Sequence, residues 1–310
     1  MSDDKYVLNA EYTGISLAYK NPSYIADKVL PRVTVGSKNF SYDKYPIDAF
    51  LNVPETKIGD LGEAATMDVK KERIPAALDY HAVKGFVAQT DIDEQAEGED
   101  LLGDNVLLLT EGLLLAREVR VAKLLQDSTL YGSNVETLSG TDQLNNAASS
   151  LLDTIFDARK QMLVKPNKIV VSDDGATDLQ RHPDVVSMYK SEFSETKTGI
   201  VPLSYVAQLL KVDEIIVGQS VVNAAKKGQT ANLSQAWGND LIMFYQNPLA
   251  KPKQGMTFGY TAQKGTRQVS QFFDGEPGYS GVHKHKVAEA VKELIVAPSC
   301  GFLFKNAFGS

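Results

Sequence analysis

The sequence predicts an α+β protein, and three observations carry that prediction. Residues from Asp104 to Gln126 hold an apolar stripe at helical spacing, residues 167–254 alternate short buried-strand runs with short helices, and beyond Gly255 the chain returns to strand patterning. No segment repeats another, and no low-complexity tract interrupts the order.

The chain is 310 residues long, with 43% hydrophobic and 23% charged residues, enough apolar material for a substantial core. A net charge of −7 argues against a dedicated nucleic-acid binder, which would carry a basic surplus. Cys300 is the single cysteine, so neither an intrachain disulfide nor a cysteine-rich zinc site is expected. The first residues show no basic-then-apolar leader, and no apolar run approaches the ~20 residues that span a bilayer. A soluble protein made in a reducing cytosol is the expectation.

Up to Val35, apolar residues (Tyr6, Leu8, Tyr12, Ile15, Leu17, Tyr19) occur singly, without helical periodicity, until a short candidate helix from Ser23 to Leu30 stopped by Pro31. This stretch has too little apolar surface to fold alone and too many aromatics for a free tail, so it is expected as an arm lying on another surface. Lys38 to Tyr45 alternates, as does His81 to Asp91. The polar, poorly periodic chain between them contains Pro54, Gly59, Gly62 and Pro75, and describes a long protruding hairpin.

The acidic run from Asp91 to Asp100 leads into the Asp104–Gln126 helix, a spine of about 33 Å. Val106, Leu109, Leu113, Ala116 and Leu124 form its apolar stripe, and Thr110, Glu111, Arg117, Glu118, Arg120 and Lys123 its polar side. A second helix, Leu151 to Met162, is expected behind a Ser150 cap. Further on, Ile169–Val171, Ile215–Val217 and Leu241–Tyr245 read as strands, with short helices after Asp174, Pro183 and Pro202. Strands are then expected over Thr257–Ala262, Arg267–Phe273, Val282–Val296 and Gly301–Phe304.

Groups that could carry chemistry are few. Asp91, Asp93, Glu94, Glu97, Glu99 and Asp100 are carboxylates without calcium-loop spacing, and a solvated approach to a helix N-terminus explains them better. His283 and His285 share a strand face, but Lys284 between them opposes a cation, and nothing joins them to His81 or His182. Asp173 and Asp174 follow a strand; Asp174 as an N-cap is the simpler reading than a catalytic dyad. Cys300 has no adjacent base and reads as a buried thiol. Walker, dinucleotide-fingerprint, nucleophile-elbow and zinc-helix motifs are absent. The sequence therefore predicts no catalytic, cofactor or metal residues.

Four stretches, taken in order, resemble a known family. Ile25-Ala26-Asp27-Lys28-Val29-Leu30-Pro31 is similar to the arm-to-hairpin junction of one branch of the tailed-bacteriophage major capsid proteins, which have the Hong Kong 97-type fold. Ala236 to Tyr245 resembles that family's axial-domain strand, Thr257-Phe258-Gly259-Tyr260 the segment leading back, and Glu289 to Pro298 the closing strands. The resemblance implies an N-terminal arm (1–35), an extended β-hairpin loop (36–90), a peripheral domain with the spine helix (91–166 and 255–293) and an axial domain (167–254 and 294–310). It also implies self-assembly into hexamers and pentamers of an icosahedral head that encloses double-stranded DNA. The shell would form in the host bacterial cytoplasm, with scaffolding, portal and decoration proteins as further partners. Because the arm starts at residue 1, a scaffold would be a separate protein or one removed beforehand. Some members cross-link a loop lysine to a neighbour; Lys57, Lys70 and Lys71 lie in that region, with no matching acceptor.

Three alternatives remain at this point. An encapsulin-type compartment shares the fold, and the long, non-helical arm favours the viral reading over it. A metal-dependent hydrolase would use the acidic run, and a tail or baseplate protein would form rings or tubes.

Overall fold

The computed structural model describes residues 5–44, 53, 56–58, 62–63, 72–193, 200–225, 228–247 and 256–309. Strand β1 (Val7–Leu8) leads into helix α1 (Ala10–Ala18), where the Asn9 side chain accepts the Tyr12 amide at 2.9 Å and caps the first turn. The short helix α2 (Ala26–Val29) and strand β2 (Arg32–Thr34) follow. Strands β3 (Asn39–Lys44), β4 (Glu72–Ala77) and β5 (Asp79–Ala88) precede α3 (Gln89–Asp93) and the spine α4 (Leu101–Leu125). With 25 residues, α4 is about 37 Å long. Its remaining companions are β6 (Val135–Thr137), α5 (Leu151–Gln161), β7 (Lys168–Ser172), α6 (Asp173–Arg181), α7 (Pro183–Phe193), α8 (Leu203–Leu209) and β8 (Glu214–Gly218). The chain finishes with β9 (Val221–Asn223), β10 (Leu233–Gln235), β11 (Leu241–Phe244), β12 (Gly259–Gln263), β13 (Gln268–Asp274), β14 (Val282–Ile295) and β15 (Gly301–Lys305).

One sheet is organised on the 14-residue strand β14. Val287 pairs with both Val83 of β5 and Val269 of β13, and Val291 with both Asp79 of β5 and Gln263 of β12. A strand has two edges, so β12 and β13 run end to end along one edge and β5 along the other. The arm adds the outer strands: β1 pairs antiparallel with β13, and β2 parallel with β12. The spine lies on this sheet through Val106, Leu109 and Leu113, packed against Val269 and Val287.

The second sheet has the order β6-β15-β11-β7-β8. The C-terminal strand β15 pairs with β11, Leu303 opposite Ile242, so the end of the chain closes the α+β unit. Alternation divides the side chains cleanly between two cores. Ile169, Val171, Leu241, Met243, Phe302 and Phe304 face one way, toward α5, α6 and α8. Val170, Ile242, Phe244 and Leu303 face the other, toward Val121, Ala122 and Leu125 of the spine and Ile25, Val29 and Leu30 of the arm. The spine thus joins the two sheets, its first half on one and its last turns on the other.

Several expectations change. Within the expected Lys38–Tyr45 strand, β3 (Asn39–Lys44) pairs with Glu72–Ala77, Asn39 opposite Ala77 and Lys44 opposite Glu72. Of the expected His81–Asp91 strand, residues 81–88 belong to β5, joined to β14 over ten residue pairs and separated from β4 by buried Leu78, whereas residues 89–91 open α3. Most of the hairpin beyond these strands, including Lys70 and Lys71, lies outside the described residues; Lys57 is exposed. The arm expected to be non-helical carries α1, which escapes the periodicity test because only Ser16 of its nine residues is buried. Residues 135–162, expected with the peripheral unit, belong by packing to the α+β core: β6 pairs with β15, and Leu151, Ile155 and Ala158 join the cluster of Ile169 and Met243.

Two expected helix caps differ in their hydrogen bonds. Ser150 sits at the N-cap of α5 without a side-chain cap bond. Helix α6 is capped by Ser172, whose hydroxyl accepts the Gly175 amide at 3.3 Å, so Asp174 is inside the helix and not its cap.

Trp237 is packed against β8 at Gly218, where an added Cβ would lie 2.1 Å from the indole Cδ1. Gly218→Ala must displace the indole, and the expected loss is about 1–3 kcal/mol of stability. Chemical denaturation of the variant checks this; an unchanged midpoint would mean that the indole can move freely.

Candidate functional site

Several of the residues assigned from sequence to the polar side of the spine are buried. Thr110, Arg117 and Glu118 are buried, and with Glu111 and Leu114 they recur three, four and seven residues apart on one side of α4. That side receives the arm.

Glu118 is the centre of the seam. Its carboxylate accepts the backbone amides of Ile25 at 3.0 Å and Ala26 at 2.8 Å, and the indole Nε1–H of Trp237 at 2.7 Å. Ile25 and Ala26 open α2, so the carboxylate caps a helix N-terminus where the helix dipole favours negative charge. The other end of α2 is held by Gln246, whose amide donates to the carbonyls of Lys28 and Val29. A four-residue helix would not persist alone. Here both of its ends are satisfied by distant side chains.

Arg117, one residue before Glu118, donates to Asp27 at 2.6 Å, to the Leu30 carbonyl at 3.3 Å and to the Thr261 hydroxyl at 3.0 Å. Asp27 also accepts from Arg32, which reaches on to Glu289 of β14 at 2.9 Å. Two turns earlier, Glu111 accepts from the hydroxyls of Tyr19 and Tyr24 and from the Asn21 amide. Thr110 and Ser16 share a hydrogen bond of 2.8 Å, which fixes α1. The arm is therefore attached along the spine by hydrogen bonds and ion pairs, with Ile25, Val29 and Leu30 driven into the core beside them.

The carboxyls of the seam are perturbed in opposite directions. Burial acts to raise Asp27, but Arg117 and Arg32 outweigh it and hold it below the ordinary range. Burial likewise acts upward on Glu111, and the donors Tyr19, Tyr24 and Asn21 leave it lowered. For Glu118 burial prevails over its donors, and its carboxyl is raised.

The groups singled out in the sequence are scattered. Asp91 and Asp93 lie in α3, Glu94 follows it, and Glu97 and Glu99 are exposed. Asp100 caps the spine by accepting the Gly103 amide at 2.9 Å. Among the described residues, no group of three or more His, Cys, Asp or Glu side chains is arranged to hold a metal ion. His283 contacts Gln89 and lies tilted beside Phe273, whereas His285 is buried edge-on against Tyr12. Asp173 and Asp174 bind Gln219 and Gln235, tying α6 to the segments after β8. Cys300 is buried in the core beside Leu303, and burial pushes its thiol up to about 11. No helix among the described residues is long and apolar enough to cross a membrane.

Known proteins match the whole of this architecture. The chain is 20% identical to a phage-related protein from Bordetella bronchiseptica RB50, whose crystal structure covers 97% of this chain and 98% of its own with a TM-score of 0.75. The capsid structure of Cyanophage P-SCSP1u is 14% identical, covers 93% of this chain and 89% of its own, and gives a TM-score of 0.57. These likenesses define the class: the chain has the capsid fold, of the Hong Kong 97 type. No family model matches the sequence. A major capsid protein of Pseudomonas phage JBD67, however, is 36% identical over 308 residues, 99% of each chain. The chain belongs to the phage major capsid proteins.

The seam can be tested by substitution and by pH. Glu118→Ala leaves the Ile25 and Ala26 amides and the Trp237 indole buried without an acceptor, and should cost about 3–5 kcal/mol. Trp237 is the only tryptophan, so its emission reports the seam during denaturation; a loss under about 1 kcal/mol would refute the role given to Glu118.

The pH dependence has a definite sign. A lowered carboxyl stabilises fully above its unfolded value and loses that contribution as pH falls through the folded one. Asp27 and Glu111 should thus release the arm below about pH 4, while raised Glu118 favours the fold more once protonated and does not drive the release. Limited proteolysis of the arm across pH 8 to 3 measures it; cleavage that begins between pH 8 and 6 would contradict the assignment.

Proposed function

We propose that this chain builds a closed icosahedral phage head from hexamers and pentamers of itself, around double-stranded DNA. The carrying observation is the 36% identity to a phage major capsid protein over nearly the full length of both chains. The subunit's role is structural rather than catalytic: the buried charges Arg117 and Glu118 serve attachment of the arm and capping of α2.

The paired strands β3 and β4 form the base of the extended loop that reaches a neighbour, the sheet on β14 with the spine serves as the peripheral unit, and the β15-β11-β7 sheet as the axial unit. The burial of Ile25, Ala26, Val29 and Leu30 supports an arm whose second half is part of the subunit core, so contacts between copies fall to segments other than these. With a net charge of −7, DNA is held by confinement more than by affinity. Scaffolding, portal and decoration proteins act with it, and assembly takes place in the host cytoplasm. The encapsulin alternative shares the fold; full-length identity to a phage capsid protein favours the viral shell.

Electron microscopy of the expressed chain, alone and with the neighbouring head genes, tests the reading. Closed polyhedral particles are expected. Rings, tubes, or only dispersed subunits under both conditions would overturn it.

A further inference from the structure

Between the arm, the spine and the turn joining β12 to β13 lies a cavity of about 720 Å³. Lys20, Lys28, Arg32, Arg117 and Arg267 line it, against only two carboxylates, Asp27 and Glu118. Arg32 and Arg117 are already paired, through Asp27 and Glu289. Arg267 is different. It is 8% exposed, it donates to the Ser16 carbonyl, its Nε has no acceptor, and it has no ion pair among the described residues. The Nε of Arg117 is also buried without an acceptor.

A buried guanidinium without a paired counter-ion is unfavourable, since burial removes its water and a single carbonyl replaces it only in part. Burial accordingly lowers the Arg267 pKa, and Glu289 offsets this only in part. Arginine cannot relieve the strain by losing its proton near neutral pH, because its ordinary value lies far above. What relieves it is an anion from outside, and the adjoining space is large enough to admit one. The planar fork of an arginine matches the two oxygens of a carboxylate or phosphate.

We propose that this cavity is a binding site for one oxyanion group, a carboxylate or a phosphate, held on Arg267 with Arg117 beside it and Lys20 at the exposed rim. The group comes either from free inorganic anion or from an acidic side chain of a second copy of the chain. The geometry belongs to the single subunit, so the first test stands whether or not shells form.

That test is thermal melting of the unassembled chain in graded inorganic phosphate, against chloride at equal ionic strength. Phosphate should raise the melting temperature saturably beyond chloride, and Arg267→Gln should weaken half-saturation by about tenfold or more. Lys20→Gln, at the exposed rim, should weaken it less, and keeps the test valid should the Arg267 variant fail to fold. Equal responses to phosphate and chloride, or a phosphate response unaltered by both substitutions, would overturn the proposal. A map of assembled particles separates the sources. A neighbouring copy's carboxylate against Arg267 assigns the group to the shell, isolated density assigns it to free anion, and a cavity holding neither counts against the site.

Discussion

Glu118 ties together three parts of the chain that are far apart in sequence: the arm at Ile25 and Ala26, the spine helix that carries it, and the α+β unit at Trp237. A carboxylate without water needs several donors, and these three supply them from different elements. Its place is therefore tenable only when arm, spine and sheet are all present. Arg117, adjacent in sequence, imposes the same condition from its own side, through Asp27 and Leu30 of the arm and Thr261 of β12. Apolar packing of Ile25, Val29 and Leu30 supplies attraction without direction; the polar seam fixes the register of α2 on the spine.

This arrangement suits a subunit that must present the same shape many times in a shell. The two sheets have separate cores, and the spine crosses from one to the other, Leu113 in the first and Leu125 in the second. A helix of that length is stiff, and the arm buried along it closes the groove between the units. The hairpin over β3 and β4, by contrast, pairs only with itself among the described residues.

Much of the fold is legible in the sequence because its strands are short, apolar and bounded by turns. β7, β11, β14 and β15 fall within a residue or two of the expected limits, and the spine begins three residues early because Asp100, not a residue nearer Asp104, caps it. Pairing is less legible. Alternation in 81–91 identifies a strand, but nothing local shows that its partner lies two hundred residues away in β14. Helix α1 is invisible to periodicity because it is held by Asn9, Ser16 and Arg267 contacts rather than by an apolar stripe.

The seam is the element that sequence patterning hides. Thr110, Glu111, Arg117 and Glu118 look like the solvated side of an amphipathic helix, since charge ordinarily marks exposure. Their helical spacing, opposite an arm too aromatic to be free, is the available signal. Native-state hydrogen exchange on the unassembled chain tests the central claim most directly. If Glu118 locks the arm into the fold, the Ile25 and Ala26 amides exchange only with global unfolding, as slowly as β14, and exchange early in Glu118→Ala. Fast exchange of these two amides in the natural sequence, with β14 still protected, would contradict the account.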